Sequence, residues 1–348
     1  MKILILYYEL AAYNIICLEQ LNKFEEIHVV AYPVSKEAPF SFNVSSKIII
    51  YNRINFDLAA LQNLYFKLQP AITFCAGWND KDYLTIASNA KESITVLGFD
   101  NEWTGQLKQR IGSLLKRGPF QKIFDYAFVP GDKQKEFANK LGFSDSKVML
   151  GAYSCDFNHF KRLGYSASSK KSRGFPQRFL YVGRYIHRKG IYDMWEAFVQ
   201  IKKENPNDWE LWCVGIGEDF EKKVEHPSIK HFGFVQPNEM NSYINNTGVF
   251  ILPSHFEPWG VVVHEFASAG FPLILSSKVG AGNTFLENGH NGFSFPSKNV
   301  QELKKAMLSI MNLSGDELFE MGRLSIEKAE GITPSKWAET FENLANQV

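Results

Sequence analysis

Cysteine is scarce in this chain and carries no pattern. Four occur in 348 residues, Cys17, Cys75, Cys155 and Cys213. They form no Cys-x-x-Cys pair and no metal-ligand spacing, which excludes a cysteine-built metal site. Three lie in apolar or strand-like runs, the setting of reduced, buried thiols in a cytosolic protein. Charge of one sign is also missing. The 38 basic and 37 acidic residues leave a net charge of +1, so nothing global points to nucleic acid. No apolar run approaches the length that spans a bilayer. The opening run Met1–Tyr8 is too short for a signal-peptide core with its cleavage site and reads as a first strand. Internal repeats and low-complexity tracts are absent. A complete dinucleotide fingerprint is absent as well. Cys213-Val-Gly-Ile-Gly217 begins one, but Phe220 stands where its third glycine belongs, which argues against a dehydrogenase. Close packing of strand and helix explains those two glycines more simply.

What is present is a globular composition, 45% hydrophobic and 22% charged, in a chain long enough for two domains. Short β-rich runs alternate with amphipathic stretches. In the first half the strands are expected at 2–7, 27–32, 47–51, 71–75, 94–98, 126–129 and 147–150. In the second half they are expected at 178–182, 210–214, 229–232, 249–252, 272–275 and 292–295. Such alternation predicts βαβ units and mostly parallel sheets. The pattern lapses over 153–176, where Ser166-Ala-Ser-Ser-Lys-Lys-Ser-Arg-Gly174 reads as a linker or loop. The fold class is therefore α/β: two facing Rossmann-like domains with a deep cleft between them. The boundaries expected are 1–152, a linker at 153–176, 177–330, and a closing segment at 331–348.

The densest cluster of chemistry-bearing residues is His255-Phe-Glu-Pro-Trp-Gly-Val-Val-Val-His-Glu265. Glu257 and Glu265 flank a Pro-x-Gly turn that opens into an apolar, helix-like run. A helix start leaves backbone N–H groups facing outward, and a phosphate suits them. Glu265, about one and a half turns into the helix, then lies within reach of a ribose. Upstream, Val182-Gly-Arg-Tyr-Ile-His-Arg-Lys-Gly190 follows a strand and precedes a helix. Arg184 and Lys189 can grip a diphosphate from there, one as a planar fork and one as a point charge. A solvated basic turn is the other reading of that loop. Gly280 and Gly282 follow the strand at 272–275 and let backbone approach a ligand, or make an ordinary turn. Asp80-Lys-Asp82 has the form of a metal motif but reads as a helix N-terminus capped by Asn79 or Asp80.

These motifs together resemble those of retaining glycosyltransferases of the GT-B type. The resemblance runs from about Phe179 to Trp337. It rests on Val-Gly-Arg184…Lys189-Gly, Val214-Gly-x-Gly217, Gly233-Phe-Val235, Leu252-Pro-Ser254, Glu257-Pro-x-Gly260…Glu265 and the loop ending Asn291-Gly292. It implies a donor half at 177–330, an acceptor half at 1–152, and a last helix that crosses back onto the first domain. Arg184 and Lys189 then bind the donor diphosphate. Gly260 and Val261 cap its distal phosphate through backbone N–H groups. Glu257 holds a sugar hydroxyl, Glu265 holds the ribose, and the segment at Val235 lines the base. Gly183, Pro258, Trp259 and Gly282 complete the implied donor site. The donor is a UDP- or GDP-linked sugar, the transfer keeps the anomeric configuration, and no metal or other cofactor is implied.

The first half departs from that family's pattern. The stretch after the first strand, Tyr7-Tyr-Glu-Leu-Ala-Ala-Tyr13, lacks the usual Gly-Gly pair. Asp100, in Val96-Leu-Gly-Phe-Asp-Asn-Glu102, stands where a histidine facing the donor sugar is common. Asp100 can bond a donor hydroxyl or support developing positive charge, or it can cap the helix that follows. Tyr8, Glu9, Trp78 and Trp103 are the acceptor-site candidates, since aromatic faces at strand ends stack on sugar rings; in a chain that is 14% aromatic, ordinary core packing is the other reading. The acceptor implied is a glycan or a lipid-linked acceptor. Residues 108–122 mix five basic residues with Ile111, Leu114, Leu115 and Phe120. They make a candidate peripheral membrane contact at the inner face, or a helix with one buried and one solvated face. His264, beside Glu265, reads as packing. A GT-B-shaped nucleotide-sugar epimerase and a catalytically inactive nucleotide-sugar binder are the alternatives.

Overall fold

The computed structural model describes residues 1–24, 26–34 and 44–347. The chain divides into two compact units, Met1–Ser154 with Ile332–Val348, and Cys155–Gly331. The first unit contains β1 (Lys2–Glu9), α1 (Ala12–Glu19), β2 (Glu26–Tyr32), β3 (Ile48–Asn52), α2 (Leu58–Leu68), β4 (Ile72–Ala76) and α3 (Lys81–Asn89). It continues with β5 (Ile94–Gly98), α4 (Leu107–Ile123), β6 (Tyr126–Val129), α5 (Asp132–Lys140) and β7 (Val148–Leu150). The second unit contains α6 (Phe157–Lys171), β8 (Arg178–Val182), α7 (Ile191–Glu204), β9 (Glu210–Val214), β10 (Ile229–Phe232), α8 (Asn241–Asn246) and β11 (Val249–Leu252). It ends with α9 (Val261–Ser268), β12 (Leu273–Ser276), α10 (Gly282–Phe285), β13 (Gly292–Phe295), α11 (Val300–Met311) and α12 (Gly315–Ala329). The closing helix α13 (Pro334–Ala345) belongs to the first unit.

Both sheets are parallel throughout their recorded pairings. The first runs β3-β2-β1-β4-β5-β6-β7 and the second β10-β9-β8-β11-β12-β13. A sheet covered on both faces needs strands that are apolar at nearly every position. Strand β1 shows how. Ile3 and Ile5 enter the core on one face, together with α1 and α13 residues such as Leu18 and Phe341. Leu4 and Leu6 enter the core on the other, with Leu61 of α2 and Tyr83 of α3. The period of two divides one strand between two cores.

Each sheet reverses its winding once, between β1 and β4 in the first unit and between β8 and β11 in the second. In open α/β sheets ligands bind at such switch points, outside the carboxyl ends of the strands. The loop after β8 carries Arg184 and Lys189, and the loop after β11 carries Glu257. The second unit's chemistry-bearing residues therefore gather where the topology favours a ligand.

One expectation is overturned. The stretch 153–176 contains helix α6, which is part of the second unit. Asp156 caps it by accepting the His159 N–H at 3.1 Å. Phe157, Phe160 and Ala167 are buried. A Cβ added at Gly164 would meet the Ala269 carbonyl oxygen at 2.4 Å, so glycine is what lets the helix lie against the end of α9. The basic, serine-rich composition is real. Tertiary packing overrides its weak local preference.

Candidate functional site

The loop from Pro253 to Gly260 is held by backbone contacts to the loop after β12. The Glu257 N–H donates to the Lys278 carbonyl at 3.0 Å, the Gly280 N–H to the Glu257 carbonyl at 2.9 Å, and the Ala281 N–H to the Trp259 carbonyl at 2.9 Å. Gly280 is required for this approach, because a Cβ there would meet the Pro258 carbonyl oxygen at 2.0 Å. The glycine expected to admit a ligand admits a neighbouring loop instead. Gly282 has only ordinary contacts, with Leu275 Cδ1 at 3.4 Å from a hypothetical Cβ, and it lines a cavity of about 280 Å³ together with Ser276 and Asn283.

Gly260 then turns the chain into α9 with φ +93°, in the left-handed region that favours glycine. No side chain caps α9. Its first-turn N–H groups, at Val261 and Val262, have no intrahelical acceptor, and both residues remain partly exposed. Positive electrostatic potential is thereby directed at the switch point.

Glu257 faces this helix start from the preceding loop. Its carboxylate is ion-paired with the Lys189 ammonium, their side chains only 13% and 11% exposed. Ser254 Oγ donates to the same carboxylate oxygen at 3.3 Å. Residues 68 apart in sequence thus meet at the β8/β11 switch point. Nearby, the His255 N–H donates to the Arg188 carbonyl at 2.8 Å, and His255 Nε2 lies 2.8 Å from Asp193 Oδ2. These contacts tie the two loops together, and sequence reasoning did not single out Asp193. Its position in the first turn of α7 was the signal available.

Arg184 is half-buried, and its carbonyl accepts the Tyr181 hydroxyl at 2.8 Å. Burial raises the Tyr181 phenol well above its usual range; Cys213 and Glu257 reinforce this and Arg184 opposes it. Arg184 and Glu257 therefore act on the same buried hydroxyl. Gly183 and Val235 occupy the loops after β8 and β10, both partly exposed. Gly215 and Gly217 serve packing of loop on loop, since Cβ atoms there would meet the Gly183 and Tyr185 carbonyls at 2.0 and 2.5 Å. The packing anticipated there was of strand on helix. Beside these loops an open depression of about 610 Å³ is bordered by His187, Tyr192, Glu218, Asp219 and Lys222.

Glu265 lies just over one turn into α9 and keeps some accessible surface. Burial by surrounding protein pushes its carboxyl up to about 7. Trp259 is placed differently from expectation. Its ring is 2% exposed, lies edge-on to Phe285, and leaves Nε1 without a hydrogen-bond partner, so only its backbone belongs to the site loop. His264 packs as expected. It is buried, stacks on Phe285 at 4.5 Å, accepts the Cys155 N–H at 3.2 Å through Nδ1, and faces the Ala329 carbonyl through Nε2.

In the first unit Asp100 follows β5. It does not cap α4, which starts at Leu107 with Gln106 as its N-cap. Its charge instead raises the phenols of Tyr7, Tyr13 and Tyr153, in each case after burial as the main cause. Asn14 donates to Tyr7 Oη at 2.9 Å, and Tyr13 meets Tyr153 edge-on at 5.8 Å. Sequence reasoning passed over Asn14 and Tyr153. The turn before α1 itself demands no glycine, because Ala11 has φ −122°, open to any residue.

Tyr8 stacks on Tyr32 at 5.7 Å, and Glu9 is exposed at the end of β1. Trp78 packs among Phe99, Phe120 and Phe137, with the Lys116 ammonium 4.3 Å from its ring centroid. Trp103 lies against Phe137. Both tryptophans are partly buried and pack against a core cluster, and the Lys116 ammonium lies over one face of Trp78. Asp80 caps α3, accepting the Asp82 and Tyr83 N–H groups at 2.9 and 3.2 Å, and pairs with Arg53.

Residues 176–312, inside the second unit, match the family of glycosyl transferases group 1. The glycogen synthase of Mycobacterium tuberculosis is 28% identical over 152 residues, 42% of this chain and 36% of that protein. The 2-deoxystreptamine N-acetyl-D-glucosaminyltransferase of Niallia circulans is 26% identical over 178 residues, 47% of this chain and 44% of that protein. The chain thus matches less than half the length of these relatives. Across its full length it superposes on the Anabaena protein HepE, solved in complex with UDP, with a TM-score of 0.75 at 13% identity and complete coverage of both chains. The fold is GT-B. The second unit resembles the group 1 glycosyl transferases in sequence as well, and it is this GT-B unit that carries Arg184, Lys189, Glu257 and Glu265.

Proposed function

We propose that this protein is a retaining glycosyltransferase that moves a sugar from a nucleoside-diphosphate donor to a glycan or lipid-linked acceptor. The observation that carries the proposal is the meeting of Lys189, Glu257 and the uncapped start of α9 at the β8/β11 switch point. Arg184 enters from the loop after β8. When the bond from the anomeric carbon to the diphosphate breaks, its electron pair stays on the diphosphate. Arg184, Lys189 and the Val261 and Val262 N–H groups supply positive charge for that leaving group. No metal or other cofactor is needed for this role.

Glu257 then turns from Lys189 to a donor hydroxyl, and Glu265 accepts the ribose hydroxyls. Val235 lines the base. The HepE complex with UDP supports a uridine donor, and a guanosine donor fits the same diphosphate chemistry. Tyr8 and Glu9, at the end of β1, serve the acceptor, and the protein works in the cytoplasm. Among the described residues no helix is long and apolar enough to cross a membrane.

The test is a thermal-shift screen with UDP- and GDP-sugars, followed by turnover of each stabilising donor and NMR of the product's anomeric proton. Transfer with the donor's anomeric configuration is the expected result. An isomerised free nucleotide-sugar without acceptor would mark an epimerase. Binding without transfer or hydrolysis across the panel would mark an inactive binder.

A further inference from the structure

Helix α4 of the first unit displays an apolar face to solvent. Leu107, Ile111, Leu114 and Leu115 are 72%, 51%, 71% and 72% exposed. Their spacing, i, i+4, i+7 and i+8, puts them on one side of the helix. Ser113 and Phe120, on the opposite side, are the buried residues of α4. A single exposed leucine is ordinary, but four on one face form a patch that calls for a partner.

The charge around the patch has one sign. Helix α4 contains Lys108, Arg110, Lys116, Arg117 and Lys122 and no acidic residue, in a chain whose net charge is +1. Lys116 is turned inward over Trp78. Lys108, Arg110, Arg117 and Lys122 are exposed, and none of the ion pairs among the described residues involves them. By helical position Lys108 borders one side of the leucine stripe and Arg110 and Arg117 the other, while Lys122 continues the line of the stripe beyond Leu115.

We propose that this face of α4 docks on an anionic lipid surface, the leucines entering the headgroup boundary and the flanking cations meeting lipid phosphates. An exposed helix face fits a lipid interface, which adapts to it and supplies negative charge along its whole length. A second copy of the chain is a poor occupant, because a self-complementary contact would set cation against cation with no acid on α4 to compensate. Eight residues connect β5 to helix α4, and this segment carries Asp100 and Trp103. If the transferase reading holds, docking brings lipid-borne acceptors to the carboxyl end of the first sheet. The docking itself does not depend on that reading.

The experiment is vesicle flotation of the full chain, with phosphatidylcholine vesicles compared with vesicles that also contain phosphatidylglycerol. The expected result is partition onto the anionic vesicles alone, weakening as salt rises. Lys108→Glu with Arg117→Glu should reduce the partition more than tenfold, at roughly fivefold for each basic side chain lost. Leu114→Ser with Leu115→Ser should reduce it about as far, and these exposed positions leave the core intact. Phe66→Ser, at a side chain 66% exposed on α2, should change nothing. Absence of binding to anionic vesicles would overturn the proposal. So would binding that survives both α4 double variants, or self-association in solution that Leu114→Ser with Leu115→Ser abolishes while vesicles fail to bind. Nucleoside diphosphate affinity, measured on the same variants, should stay at the parent value and reports separately on the donor site.

Discussion

Glu265 carries the clearest pH dependence at the scale of single residues. Its carboxyl is raised to about 7 by burial, so the folded protein holds a proton there that the unfolded chain, titrating near 4.5, gives up earlier. The contribution to stability is therefore greatest below the unfolded value and is lost as pH rises from there through 7. Glu265→Gln should raise stability at pH 8 by about 1–3 kcal/mol and change it little at pH 4, as read by chemical denaturation at the two pH values. If ribose hydroxyls are bound by the carboxylate, nucleotide affinity should weaken as pH falls below 7, and the Gln variant should bind weakly without that slope. The Lys189–Glu257 pair makes a second residue-scale prediction. With both side chains mostly buried, removing either partner strands the other, at a cost of about 2–4 kcal/mol. Lys189→Ala with Glu257→Ala should cost clearly less than the sum of the single variants, a coupling that a double-mutant cycle measures.

Among the elements, the start of α9 depends on backbone geometry. Gly260→Ala places a side chain at φ +93° and should cost about 1–3 kcal/mol while disturbing anion binding at the helix start. Retained stability and retained nucleotide affinity in that variant would contradict the role given to the turn. The strands that deliver this loop were legible in the sequence because each is a short apolar run bounded by turn residues. Helix α6 was not, because its apolar residues Phe157, Phe160 and Ala167 are held by distant partners around α9, while Ser166–Gly174 looks like linker. Asp156 at its start was the local sign available. The Ser314 and Glu317 capping box at α12 was another such sign left unused. The pairing of the two site loops was legible only as motif spacing. That Lys189 meets Glu257, and that Gly280 serves the Pro258 backbone, depends on parallel register and winding order, which local pattern does not encode. Trp259 and Trp78 misled for a common reason: an aromatic beside a loop motif looks available, and packing with Phe285 or with Lys116 decides otherwise.

On the scale of the whole molecule, the helix that closes the chain and the proposed donor site belong to different units. Helix α13 completes the first unit's core, with Phe341 buried among Phe74, Phe128 and Trp337, and the Trp337 Nε1–H donating to the Ala152 carbonyl at 2.9 Å. Phe341→Ala should destabilise by about 3–5 kcal/mol in denaturant while the folded protein keeps its nucleoside diphosphate affinity, because the diphosphate groups belong to the second unit. Bound nucleotide should in turn stabilise the protein in proportion to the logarithm of its concentration above Kd. The central claim is that Arg184, Lys189 and the start of α9 hold one diphosphate. Isothermal titration of UDP and GDP into the parent protein, Arg184→Ala and Lys189→Ala tests it most directly. The account predicts binding of at least one nucleotide by the parent and a loss of roughly tenfold or more in each variant, the worth of a charge-assisted contact. Equal affinity in all three proteins would contradict it.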